Sequence, residues 1–154
     1  MLAGGKWVLF RQGFTNKQST GRLMRVPLGG GTPATVPIPG PLDEFACALR
    51  GSRCVLRQPE GEAFYVFYEL DPLRGRGREL ARTKWTQSVF GDWALSPDGQ
   101  EIAMPVHDSN EARIRLITLD QKHGQREVVI PKFSNLNECV GGAEFLMLFA
   151  RHLA

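Results

Sequence analysis

Trp93-Ala94-Leu95-Ser96-Pro97-Asp98-Gly99-Gln100-Glu101-Ile102-Ala103 reads as the end of one strand, a tight turn and the start of the next. Pro97 presets φ, Asp98 can hydrogen-bond the backbone ahead of it, and Gly99 accepts a positive φ. The strand that follows, Glu101–His107, alternates Ile102, Met104 and Val106 with Ala103, Pro105 and His107. That period of two is expected of a strand with one buried face. Working outward, Lys6–Gln12, Arg22–Leu28, Phe45–Leu49, Arg53–Gln58, Phe64–Leu70, Gly91–Ser96, Ala112–Asp120 and Arg126–Pro131 are short runs of the same kind. They are rich in β-branched or aromatic residues and bounded by Gly, Pro or polar clusters. Pro27 and Pro105 cannot donate to a ladder and belong at edges or unpaired positions.

The turns recur. Leu2–Phe10, Leu49–Leu56, Leu95–Met104 and Val140–Met147 align on Gly4, Gly51, Gly99 and Gly142, which are separated by 47, 48 and 43 residues. Each of the three full intervals adds a second long strand, a Gly-containing turn and a short closing strand: Ala34–Ile38, Arg78–Thr83 and Arg126–Pro131. Four strands per unit at a period of roughly 40–50 residues is the signature of β-propeller blades. A β-sandwich also has short strands with turns every ~8–12 residues, but the regular spacing favours blades. The expectation is one all-β domain over residues 1–154, with units at about 1–40, 41–85 and 86–131 and a partial one at 132–154, about three and a half repeats. The first unit is expected to lack its innermost strand. Such an array is a piece of a longer propeller, a ring completed by self-association, or a compact ring closed by the last segment.

Composition agrees with a folded β protein. The chain has 154 residues, 42% hydrophobic and 23% charged. Gly (17) and Pro (10) together exceed the usual share of ~12%, which argues for turns and against a helical bundle. No apolar run approaches the ~18 residues of a membrane span, and Met1–Phe10 has no secretory-signal pattern. The net charge of +3 argues against an obligate nucleic-acid binder. Cys47, Cys54 and Cys139 form no disulfide framework by count, and no C-x-x-C pair suggests zinc. Cys47 and Cys54 sit in apolar runs and read as small buried hydrophobes.

The run Trp93–Ala103 resembles the W-x-x-S-P-D-G-x-x-I-A core of the TolB-like, WD-repeat-like propeller family, and Arg113–Asp120 is similar to the strand that follows it there. Leu23–Pro33 resembles the strand–Gly-Gly–strand turn of such blades, especially those appended to bacterial serine/threonine kinases. The resemblance covers about Gly4 to Pro131, and only the third unit carries the full motif. It implies a non-catalytic protein-binding or sensor module, part of a larger bacterial propeller protein. The other reading is a propeller accessory to a prolyl-oligopeptidase-like hydrolase whose catalytic domain lies outside this chain. As it stands the sequence reads as cytoplasmic; within a longer TolB-like or receptor-kinase parent it would be extracytoplasmic.

No residue pattern argues for catalysis. His107-Asp108-Ser109 places triad residue types in a row, but neighbours on a strand point to opposite faces and cannot relay a proton. The sequence has no G-x-S-x-G, H-E-x-x-H or P-loop. Asp98 is one carboxylate, too few for calcium, and its expected work is to hold the turn with Ser96, Pro97 and Gly99. The densest basic cluster is Arg74, Arg76, Arg78, Arg82 and Lys84, near Trp85. Arg74, Arg76 and Arg78 are read as a solvated, mobile hairpin loop; the other reading is a partner-binding loop that contacts a nucleic acid or an acidic peptide through bidentate bonds to phosphate or carboxylate. The loop-bearing face of a propeller and the family resemblance imply a protein or peptide partner, with self-association through exposed blade edges as a further route; no nucleic acid, cofactor or metal is expected. Phe64, Tyr65, Phe67 and Tyr68 cover both faces of one strand, so that strand should be buried on both sides.

Overall fold

The computed structural model describes residues 2–3, 5–13, 21–84, 93–108, 111–120 and 124–129. These residues are all-β and fall into three four-stranded sheets. Sheet one contains β1 (Leu2–Ala3), β2 (Trp7–Gln12), β3 (Arg22–Pro27) and β4 (Ala34–Thr35). Sheet two contains β5 (Glu44–Cys47), β6 (Cys54–Glu60), β7 (Phe64–Asp71) and β8 (Gly75–Lys84). Sheet three contains β9 (Ala94–Leu95), β10 (Glu101–Asp108), β11 (Glu111–Thr118) and β12 (Gln125–Val129). Every sheet is a meander in sequence order with antiparallel neighbours. No helix among the described residues is long and apolar enough to cross a membrane.

Sheet two is the middle layer, because its strands alternate between two apolar faces. Cys54, Leu56 and Leu70, with Tyr68, pack against Ala3, Leu9, Leu23 and Val36 of sheet one. Val55, Phe67 and Leu80 pack against Trp93, Leu95, Ile102, Met104, Ile117 and Leu119 of sheet three. Val55, Leu56, Val66 and Phe67 are wholly inaccessible to solvent. Each such burial contributes about 1.5–3 kcal/mol, and Val55, Leu56 and Phe67 lie in the clusters between sheets. Tyr65 and Phe67 face sheet three while Tyr68 faces sheet one, so β7 is covered on both sides. The first strands of sheets two and three, β5 and β9, lie close to each other.

The interior strands tolerate proline because their neighbours are short. Pro27, Pro59 and Pro105 each pair on one side, with Trp7, Tyr65 and Ile114. On the other side the neighbouring strand has already ended. No ladder bond is lost at any of the three.

Several expectations need correction. The first unit does not lack its first strand: Leu2 and Ala3 pair with Val8 and Trp7. Two residues are too few to show a periodicity. The closing strand of sheet one is Ala34–Thr35 and not Ala34–Ile38, whereas that of sheet two is longer than Arg78–Thr83 and begins at Gly75. Cys47 and Cys54 are not separate buried thiols but a disulfide. They are directly opposite each other in the β5–β6 ladder, at the last pair before the turn. In an antiparallel pair this places their Cβ atoms within bridging reach. The expected partial unit at 132–154, with Cys139 and Gly142, lies outside the described residues.

Between sheets one and two runs the segment Pro37–Leu42. Gln58, buried on β6, donates to Pro39 O at 3.0 Å and to Pro41 O at 2.7 Å. Arg57, also buried, is held by Asp43 at 2.7 Å and Glu44 at 3.0 Å and lies over the Tyr65 ring at 4.4 Å. Burial raises the Tyr65 hydroxyl above its ordinary pKa, more than the Arg57 charge lowers it. These contacts fix the entry into sheet two.

Candidate functional site

A meander puts its first-to-second and third-to-fourth turns at one end and its second-to-third turn at the other. The three sheets share this arrangement, and contacts between sheets bring the former turns together. Arg25 of β3 donates to Pro72 O in the β7–β8 turn at 2.7 Å. Arg50 N in the β5–β6 turn donates to Pro97 O at 2.7 Å. Asp120, in the β11–β12 turn, forms ion pairs with Arg53 and Arg78 of sheet two.

The Ser96–Gly99 turn is closed by its own side chains. Gly99 N donates to Ser96 O at 2.9 Å, and Ser96 Oγ donates to Asp98 Oδ1 at 2.6 Å. Ser96 Oγ accepts from Gln100 N and Glu101 N, and Asp98 Oδ1 accepts from Gln100 N. The Ser96 hydroxyl first, and then the Gln100 N–H, hold the Asp98 carboxyl below its ordinary pKa. Gly99 has φ +75°, and a Cβ there would lie 3.1 Å from the Cβ atoms of Ala48 and Arg53. Arg53 Nη1 donates to Gly99 O at 3.1 Å. The turn of sheet three therefore rests on the equivalent turn of sheet two.

Gly99→Val should cost about 2–4 kcal/mol, from a β-branched residue at positive φ plus crowding against Ala48. Arg76→Ala should cost about 1 kcal/mol, from a lost exposed stacking contact and one hydrogen bond. Urea denaturation of the two variants checks this. Equal small shifts in midpoint would remove the turn's assigned role.

Arg74, Arg76 and Arg78 are not one mobile basic loop. β8 begins at Gly75, so only Arg74 lies in the turn. Arg76 lies over the Tyr68 ring at 4.7 Å and donates to Gln58 Oε1 at 2.9 Å. Arg78 pairs with Glu69 at 3.7 Å and with Asp120. Arg82 pairs with Glu60 and Glu79. Asp71 accepts from Leu73 N at 2.7 Å and Arg74 N at 3.0 Å, and those two bonds, Leu73 first, depress its pKa. Partial burial works to raise the Asp120 pKa, but the Arg78 hydrogen bond and the Arg53 charge outweigh it and hold it low.

Three exposed leucines at the same end were not singled out in the sequence. Leu28 is 56%, Leu49 83% and Leu73 53% accessible. The apolar runs Arg22–Leu28 and Phe45–Leu49 place Leu28 and Leu49 at strand ends, but both sit in turns. The available signal was an apolar residue within two positions of a turn glycine, at Leu28-Gly29 and Leu49-Arg50-Gly51. Between the β5–β6 and β7–β8 turns lies a cleft of about 640 Å³, lined by Ser52, Arg53, Leu70, Asp71, Arg74 and Arg76 among others.

His107 and Asp108 end β10, paired with Ala112 and Glu111. Ser109, Trp85, His123 and His152 lie outside the described residues. Among the described residues no three His, Cys, Asp or Glu side chains gather as a metal site requires. No family model, curated protein or solved structure matches the chain.

Proposed function

We propose that the three sheets are successive blades of a β-propeller and that the chain is a non-catalytic module that holds a protein or peptide at its turn-bearing end. The observation that carries this reading is the threefold recurrence of one unit: a four-stranded meander stacked on the next, with its equivalent turns in mutual contact. Closeness of the first strands β5 and β9 supports a fan of sheets around an axis. The likeness of Trp93–Ala103 to the TolB-like repeat supports the same arrangement. Stacked sheets of this kind present short turns on a rigid base, which suits recognition by many small contacts.

A photo-crosslinking residue placed at Leu49 or Leu73, with Val128 on β12 as control, tests the function in extracts of the source cells. The expected result is a discrete adduct from the two turn positions and none from β12. The adducted protein, identified by mass spectrometry and purified, should bind the wild-type chain and lose binding to a Leu49→Asp, Leu73→Asp double variant. No adduct from either turn position, or adducts equally from Val128, overturns the reading.

A further inference from the structure

We propose that the cleft between the β5–β6 and β7–β8 turns takes an acidic peptide segment that also carries apolar side chains. This rests on the interaction-module reading and names the chemistry of the partner. The first argument is how charge is used at this end. Its aspartates are already engaged: Asp71 and Asp98 accept from N–H groups of their own turns, and Asp120 is shared between Arg53 and Arg78. Lys6, Arg50 and Arg74 sit at the same end, exposed. Arg50 and Arg74 act on Asp98 and Asp71 through space, with no direct ion pair between them among the described residues. The carboxylates a partner meets here are already committed to turn N–H groups or to other arginines, Glu69 to Arg78 among them, which leaves the exposed cations the more open to a new anion.

The second argument is preorganisation. Arg76 is held flat by the Tyr68 ring and by Gln58, which is itself anchored on Pro39 and Pro41. A guanidinium fixed in this way keeps its remaining donors available for a carboxylate at small entropic cost. The third is apolar area. Leu49 and Leu73 stand on the two turns that flank the cleft, and Leu28 stands on the corresponding turn of sheet one. Exposed charge pairs alone add little affinity, so side chains that cover these leucines must supply most of it.

The concavity decides between partners. An anionic bilayer would meet the leucines and cations with a flat surface and would leave most of the cleft of about 640 Å³ unfilled. A nucleic-acid backbone brings a charge at every step, so some phosphates must lie against Glu69 and Asp71 in the cleft lining, where a peptide can instead place an apolar side chain. An extended peptide can alternate carboxylates with apolar side chains and avoid both conflicts.

Panning a short randomised peptide library against the purified chain tests this. The expected outcome is enrichment of sequences with Asp or Glu beside Leu, Ile or Phe. Fluorescence anisotropy with the selected peptides should then show binding that weakens with salt and falls at least about tenfold in Arg74→Glu. Arg74→Lys should retain most of the affinity, and unchanged melting temperatures would show that both variants are folded. Vesicles of phosphatidylserine and phosphatidylcholine form the comparison arm. Recovery of basic or uncharged sequences, acidic peptides that bind Arg74→Glu as well as wild type, or vesicles bound in place of any peptide would each overturn the proposal. A crosslinked partner that survives those results would sink the acidic-peptide inference alone. Failure of the crosslinking sinks the module reading as well.

Discussion

Gly75→Ala is expected to prevent stable folding or to remove more than about 4 kcal/mol of stability, a large part of the 5–15 kcal/mol typical of a domain. Gly75 opens β8 with φ +85°, which an L side chain rarely adopts. A Cβ there would also lie 1.7 Å from Pro37 O and 2.8 Å from Pro37 C. The obstacle is backbone, and that backbone cannot retreat easily, because Gln58 ties the next residues through Pro39 O and Pro41 O. Gly51→Ala is the control. It has φ +92° with nothing within 4 Å of the added carbon, so conformational strain alone should cost about 1–2 kcal/mol. Urea denaturation followed by tryptophan fluorescence separates the two. Similar midpoints would mean that Pro37 does not press on Gly75 as described.

Phe67→Ala is expected to cost about 3–5 kcal/mol, the range for removing a large aromatic from a filled core. Phe67 is fully buried between sheets two and three and meets Trp93 edge to face, with ring centroids 5.3 Å apart. Phe67→Leu keeps most of the volume and should cost about 1.5 kcal/mol or less. The loss should also be uneven. Hydrogen-exchange protection of β10 and β11 should fall more than that of β2 and β3, because Phe67 contributes to the cluster shared with sheet three. A uniform loss would show that the three sheets open as one unit.

The long strands were legible as short β-branched and aromatic runs bounded by Gly, Pro or polar residues, and β2, β3, β6, β7 and β10 all fall within a few residues of their expected places. The single buried face expected of Glu101–His107 does not hold, because Ala103 is buried with Ile114 and Leu116 on the side opposite Ile102 and Met104. The Ser96–Gly99 turn was legible because proline and glycine restrict φ at fixed positions. What was missed depended on register, which a linear pattern does not contain. The Cys47–Cys54 bond follows only once those residues are opposite each other across a turn. Arg74–Arg78 looked like a loop because it holds two glycines, but only Gly75 has a positive φ. Gly77 lies within β8, where a Cβ would come 3.2 Å from that of Glu69, so its small size serves close strand packing. In the linear pattern Leu28 and Leu49 continue the apolar runs before them and so look like strand residues. Their exposure emerges only from where the turns begin.

By composition the stretch Pro37-Ile38-Pro39-Gly40-Pro41-Leu42 looks like a hinge on which the first two sheets could swivel. Fastened along its length, it behaves instead as shared masonry. Anyone excising or transplanting sheet two must carry these residues with it, since Gln58 and Gly75 would otherwise confront empty space. Any duplication of sheet two would meet the same constraint, since Gln58 and Gly75 both close on the residues that precede it.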